Sequence, residues 1–335
     1  MSDLETVTFS MLKTFRNCQR KCKFRYFEGL KPRERSENLW FGSLIHECLE
    51  LHYRNEAWED FIDASTMNRD GDPDEKRMWH YAHAMMKAYA AKFPAEPFVF
   101  FAEDCYGPPA IEKKFKVPIV NPSTGAKSRS FVLKGKADGI ITMDDGRNLL
   151  LEHKTASAVD DNYWDKLCTD FQITLYLNAL EEELGIKLDG VFYNVLIKPR
   201  LRQAQEESEE DFEARKAKLL AKSKTGKTTA SRREGEGDDE FRARLEKFYA
   251  DGERFLRKEV KIAPEQRQEA KWEVWQNTQM LLACRRNDVF CRNRDRCFDY
   301  NRACEYYPIC GPVVDKESII SKDYVRSEPH EELRT

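Results

Sequence analysis

Asp138, Glu152 and Lys154 are the residues of this chain whose types and spacing best suit hydrolytic chemistry. They lie in GKADGIITMDDGRNLLLEHKT, residues 135–155, with Asp138 near the end of one β-patterned run and Glu152 and Lys154 on the next. The turn signal Asp144-Asp145-Gly146 between the runs predicts a hairpin that sets the two strands side by side. Side chains alternate along a strand, so Glu152 and Lys154 share one face and His153 takes the other. Carboxylates and an ammonium gathered on apolar strands carry a large desolvation cost unless something compensates them. A divalent cation on Asp138 and Glu152, with Lys154 at a water that the cation activates, supplies that compensation.

The elements around these strands read as a mixed α/β core. Residues 97–155 hold the β-patterned runs FVFFAED, AIEKKFKVPIV, SFVLKGKADGIITM and RNLLLEHKT. A helix over about 162–183 follows, with Trp164, Leu167, Phe171 and Leu175 as its apolar stripe, and then the strand GVFYNVLI. Upstream, Ser10 is a candidate cap for a helix running to Phe27, and a second helix from about Gly42 carries LIHECLELHY. Asp72, Pro73 and Glu75 combine a cap, a first-turn proline and a capping-box acid for a third. Helices over about 238–258 and 264–284 lead into a cysteine-rich end. The chain thus divides into a helical N-terminal segment (1–95), a core (96–200), a charged insertion (201–240), C-terminal helices with cysteines (241–315) and a polar tail (316–335).

The chain has 335 residues and a net charge of −3, so nucleic-acid binding would use local basic patches. No apolar run is long enough to span a bilayer and MSDLETVTFS lacks an apolar signal core, so a cytoplasmic, non-membrane protein is expected. In the insertion, six acids fall within Glu206–Glu213 and eight cations, with no acid, within Arg215–Arg233. That pattern suits a solvated helix and loop, or a basic flap that follows a phosphate backbone. Thr225-Gly226-Lys227-Thr228 imitates a phosphate-binding loop, but Ala221 stands where the motif needs glycine and a charged helix stands where it needs a strand. Four of the ten cysteines, Cys291, Cys297, Cys304 and Cys310, crowd near the C-terminus, and Cys18 sits in a basic N-terminal segment. Clustering without an export signal favours a metal site over a disulfide framework.

The pattern of Asp138 followed by Glu152-His153-Lys154 resembles the PD-(D/E)XK nuclease superfamily. Its surroundings resemble one branch, the RecB/AddB-like nucleases with the CRISPR-associated iron–sulfur exonucleases and their phage or bacterial relatives. FGSLIHECLE supplies His46 on an early helix, Gln172-Ile-Thr-Leu-Tyr176 supplies a Q-x-x-x-Y motif, and FRNCQRKCKFRYFEGL supplies an early cysteine before basic and aromatic residues. The resemblance covers nearly the whole chain, the insertion and tail excepted. It implies a restriction-endonuclease-like core, His46, Asp138 and Glu152 as ligands of Mg²⁺ or Mn²⁺, and Asp138, Glu152 and Lys154 as the catalytic set. It also implies a substrate or active-site support role for Gln172 and Tyr176, which as plain residues are equally a helix surface pair. Glu112 is either an additional acid near the metal or a paired strand glutamate. His52, His80 and His83 read as structural.

In that branch one cysteine before the core and three after it hold a [4Fe–4S] cluster. Cys304 and Cys310 match its final spacing, but Asn301 stands where the preceding C-x2-C partner is usual. The set implied is therefore Cys18, Cys297, Cys304 and Cys310, with Cys22 or Cys291 as substitutes and Zn²⁺ as the alternative occupant. The expected activity is metal-dependent hydrolysis of DNA, favouring single-stranded ends in the 5′ to 3′ direction, in recombination, repair or phage DNA metabolism. Arg16, Arg20, Lys21, Lys23, Phe24, Arg25 and Tyr26 would line a single-strand channel, or else belong to a helix that packs its aromatics inward. Two rivals remain: a weakly active or non-catalytic partner in a recombination or CRISPR-adaptation complex, and a zinc-binding DNA-recognition module. The second leaves Asp138, Glu152 and Lys154 unexplained.

Overall fold

Leu149, Leu150 and Leu151 are consecutive, and all are buried, because strand β6 (Asn148–Ala156) is covered on both faces. It lies at the centre of a seven-stranded mixed sheet in the computed structural model, which describes residues 4–33, 37–104, 107–223, 225–299, 302–312 and 315–333. Antiparallel β5 (Lys127–Met143) flanks it on one side and parallel β7 (Val191–Ile197) on the other. Beyond β5 pair β1 (Glu5–Val7), β3 (Phe98–Phe100) and β4 (Ile111–Val120), and beyond β7 pairs β8 (Phe255–Val260). Fold class is therefore as expected: a mixed α/β sheet between helices.

One helical layer comprises α1 (Phe9–Asn17), α7 (Phe171–Leu184) and α10 (Pro264–Asn287), whose Leu12, Leu175 and Leu281 share a core with Leu150. The opposite layer comprises α3 (Glu37–Tyr53), α5 (Pro73–Lys92) and α9 (Asp238–Ala250), whose Ile45, Met85 and Leu245 pack with Leu196 and Phe255. Short α4 (Trp58–Ser65) and α6 (Asp161–Cys168) precede α5 and α7.

Several local expectations change. Thr8, not Ser10, caps α1, accepting from Met11 N at 3.2 Å. Extended Cys18 ends that helix, and α2 (Gln19–Cys22) then widens into a π-helix over Lys23–Phe27. Asp72 caps α5 as expected, but Glu75 accepts from Asn68 N rather than from the cap. The helix expected over 162–183 is broken at Asp170, whose carboxylate caps α7. The helix expected over 238–258 ends at Ala250, and the last residues of that span, from Phe255, belong to β8. Two strands of the sheet, β1 and β8, thus come from outside 96–200.

The tail is also structured. Helix α11 (Lys316–Asp323) leads to β9 (Tyr324–Arg326), which pairs antiparallel with β2 (Leu30–Pro32). Gly29 closes this junction at φ 65°, accepting from Ser327 N at 2.8 Å, and a Cβ there would stand 2.6 Å from the Ser327 carbonyl oxygen. Gly29→Ala is expected to cost about 1–3 kcal/mol, since it combines left-handed backbone with a backbone clash. Thermal unfolding with the end of the chain followed by hydrogen exchange would check it. Helix α8 (Glu209–Lys222), in the insertion, buries no residue. Lys224, in the basic run, and Cys105 and Asn301 lie outside the described residues.

Candidate active site

Strand β5 changes facing at Asp138. Ala137 and Ile140 both belong to the core beneath α7, whereas Ile141 belongs to the cluster on the opposite face. A regular strand would not place 137 and 140 together, so the alternation slips by one residue between them. Opposite the slip, Glu112 on β4 adopts φ 50°, unusual for a residue with a side chain. Pairing of β5 with β6 ends at Gly139 and Leu151. Beyond that point the Asp138 carboxylate takes the place of backbone, accepting from His153 N at 2.6 Å.

The sequence-predicted residues meet here. His46, projecting from α3, places Nδ1 3.3 Å from Asp138 Oδ1. Glu152 is buried, with a side chain 2% exposed, and its Oε1 accepts from Lys154 Nζ. Its second oxygen, Oε2, is buried without a hydrogen-bond partner. Lys154 Nζ also donates to Gln172 Oε1 at 3.3 Å, so the first residue of the Q-x-x-x-Y motif reaches the site. Tyr176 instead turns its ring into the core, against Phe115 at 5.2 Å and Phe9 at 6.5 Å. Glu112 combines both readings made of it: it pairs with Lys136 at 2.6 Å and stands close enough to Asp138 to feel its charge. Lys136 itself was not anticipated. Its place two residues before Asp138 was the available signal.

The electrostatics are those of a site short of positive charge. Burial pushes the Glu152 carboxyl up to about 7, with Asp138 adding to the push and Lys154 opposing it. Burial and then the Asp138 charge push Glu112 to about 7 as well. Burial also works against ionised Asp138, but His46 and the His153 N–H more than offset it and hold the carboxyl below the usual range. His46 is raised to about 9 against its burial, chiefly by Asp138. Burial likewise opposes charge on Lys154, and Glu152 reverses the outcome, raising it. A cation beside Glu152 Oε2 would pair the orphaned oxygen and favour the ionised carboxylate. Two carboxylates and an imidazole are suitable donors for Mg²⁺ or Mn²⁺. Among the described residues, however, no three His, Cys, Asp or Glu side chains stand ready-gathered around a metal position. The Asp138 oxygens are turned onto His46 and His153 instead.

At the other end of the chain Cys18, Cys297, Cys304 and Cys310 line one cavity of about 1390 Å³. Cys18 Sγ accepts from Asn293 N at 3.5 Å, and Cys304 N donates to Cys297 O at 2.8 Å. The two substitutes lie apart from it: Cys22 is buried behind α1, and Cys291 is exposed and does not line the cavity. The basic and aromatic N-terminal segment is engaged within the protein. Phe24 is buried and stacks on Tyr306, Arg16 pairs with Glu273 at 2.7 Å, and Lys23 pairs with Asp288 at 2.7 Å. Of the two readings of that segment, the inward-packed helix accounts for Phe24, and the single-strand channel does not.

A family model described as PD-(D/E)XK nuclease superfamily matches residues 6–311. The chain belongs to the PD-(D/E)XK nuclease superfamily. The match spans both helical layers, every strand of the sheet except the first residue of β1, and the four cavity cysteines. Superfamily members usually use divalent metals such as Mg²⁺. Among solved structures, a putative exonuclease from Eubacterium rectale is 12% identical with a TM-score of 0.41, over 90% of this chain and 89% of that one. The protein SSO0001 is 11% identical with a TM-score of 0.32, over 84% of this chain and 78% of that one. No curated protein matches the chain. No helix among the described residues is long and apolar enough to cross a membrane.

Proposed function

We propose that this nuclease-superfamily chain is a metal-dependent deoxyribonuclease acting on DNA ends. His46, Asp138 and Glu152 would hold Mg²⁺ or Mn²⁺, which lowers the pKa of a bound water and shields charge on the phosphoryl oxygens. Lys154, held between Glu152 and Gln172, would orient that water and stabilise the transition state. The observation that carries the reading is Glu152 Oε2, buried and without a partner beside Asp138 and His46. An oxygen left so costs stability unless a ligand pairs it.

The same proposal places a [4Fe–4S] cluster on Cys18, Cys297, Cys304 and Cys310. Its support is the shared cavity, which brings a cysteine from before the core together with the three from after it. Bound there, the cluster would tie the two ends of the domain. Zn²⁺ on the same thiolates is the alternative, and the metal content of purified protein distinguishes them.

End preference is tested with linear single-stranded DNA, labelled at either end, against a circle of the same sequence and a linear duplex. The proposal expects Mg²⁺-dependent shortening of the linear single strand from its 5′ end, with the circle resistant. A circle cut as fast as the linear strand would replace exonuclease with endonuclease. Loss of label first from the 3′ end would reverse the direction.

A further inference from the structure

Behind the Glu152–Lys154 strand lies a closed ring of polar side chains that touches none of the catalytic groups. Asn194 on β7 stands opposite His153 in the parallel register, is fully buried, and directs Nδ2 to His153 Nδ1 and to Tyr89 OH, both at 2.9 Å. Arg257, opposite Asn194 on β8, donates to Tyr89 OH at 2.8 Å and makes two bonds to Glu96, at 2.6 and 2.8 Å. Its Nε reaches Asn194 Oδ1 at 3.3 Å. Tyr53 OH meets Tyr89 OH at 2.6 Å and donates to Glu96 at 3.0 Å.

Donor and acceptor counts fix the direction of every bond. Tyr89 OH accepts from Asn194 and Arg257, so its own proton goes to Tyr53. The Tyr53 proton goes to Glu96, and Arg257 closes the circle. The two amide protons of Asn194 are then both used, one on Tyr89 and one on His153. Such a closed ring, buried at Tyr89 and Asn194 and part-buried at Tyr53, Glu96 and Arg257, holds one geometry, because a shift at Asn194 or Tyr89 leaves a buried polar group unpaired.

What the ring holds is the middle residue of the catalytic strand. The His153 ring is stacked on Tyr53 (centroids 5.7 Å, planes 12° apart) and meets His46 edge-on at 6.0 Å. The Asn194 Nδ2 amide can only donate, so His153 Nδ1 is the acceptor of that 2.9 Å bond. The His153 backbone N–H holds Asp138, and its neighbours along the strand are Glu152 and Lys154. We propose that Asn194, Tyr89 and Arg257 are positioning residues: through His153 they fix the height of the β6 backbone, and with it the relative placement of Asp138, Glu152, Lys154 and His46. This rests on the nuclease reading of that site.

The test uses Asn194→Leu and Tyr89→Phe in the full chain, with Met78→Ala, a fully buried residue at the far end of α5 from Tyr89, as a stability-matched control. Two quantities are read: kcat and KM on linear DNA, and the dissociation constant of Mn²⁺ alone by electron paramagnetic resonance without DNA. Loss of such outer support is expected to weaken Mn²⁺ binding and kcat by about 10–100-fold in Asn194→Leu, less in Tyr89→Phe, with KM for DNA unchanged. Wild-type values in both variants, or losses no greater than in Met78→Ala at equal thermal midpoint, would overturn the proposal. Should Asn194→Leu fail to fold, Tyr89→Phe decides, because it keeps the packed aromatic side chain and removes only the hydroxyl that three of the bonds share. A wild type that binds Mn²⁺ but cuts no DNA sinks the nuclease reading alone, and the Mn²⁺ comparison still judges the positioning role. A wild type that binds no Mn²⁺ overturns both.

Discussion

Lys154→Met is expected to leave DNA binding within a few-fold of wild type while cleavage falls by roughly 100–1000-fold. Lys154 stands beside the buried Glu152 carboxylate and is held there by Gln172, so its loss acts in two ways. It would remove the donor proposed for the attacking water, and it removes the cation that opposes the rise in the Glu152 pKa. The two are separable. If the defect came only from a more easily protonated Glu152, raising Mg²⁺ would recover the rate by drawing the carboxylate into its ionised form. If Lys154 orients the water or stabilises the transition state, the defect persists at saturating metal. Persistence is expected, and it is read from single-turnover rates across a Mg²⁺ titration of both proteins. Full recovery would reduce Lys154 to an electrostatic partner of Glu152.

Cys304→Ser is expected to have the largest effect on stability. Cys18 and Cys310 are separated by most of the chain, and the proposed cluster joining them would close a very long loop. By analogy with covalent cross-links of such loops, closure contributes up to about 5 kcal/mol, or roughly 10 °C in thermal midpoint. Noncovalent ties already join the ends: the β2–β9 pair, Tyr306 OH on Leu30 O at 2.7 Å, and the small core of Phe24, Tyr306 and Tyr324. The measured loss should therefore fall below that ceiling. Anaerobically purified wild type is expected to be brown with iron and sulfide present, and the variant colourless. Colourless wild type with equimolar zinc would keep the staple and replace its occupant. Protein without metal, and equally stable in the variant, would remove the staple altogether.

What could be read beforehand follows from how local each signal is. The hairpin carrying Asp138 and Glu152-His153-Lys154 was legible because alternation and a turn sequence both act within about twenty residues. The leucine run of β6 and the apolar β7 were legible for the same reason. Strand β8 was missed because FLRKEV, half of it charged, carries little apolar pattern, and Arg257 is part-buried only by virtue of the Glu96 and Tyr89 that meet it. Asp170, as a cap within an otherwise continuous apolar stripe, hid the break between α6 and α7. The phase slip at Asp138 has no sequence signature, since GKADG reads as unbroken alternation and the slip shows only in which core each residue joins. His46 could be tied to the strands only by resemblance to the nuclease branch. Its contact with Asp138 depends on how α3 docks, which no local pattern encodes.

The most direct measurement is the cleavage rate of end-labelled DNA by wild-type protein as Mg²⁺ is raised from zero, beside Glu152→Gln, which keeps shape and removes the charge. The site described here predicts no cleavage without metal, saturating cleavage as Mg²⁺ is added, and no cleavage by Glu152→Gln at any concentration. Equal cleavage by the two proteins, or cleavage by the wild type that chelation does not abolish, would contradict it.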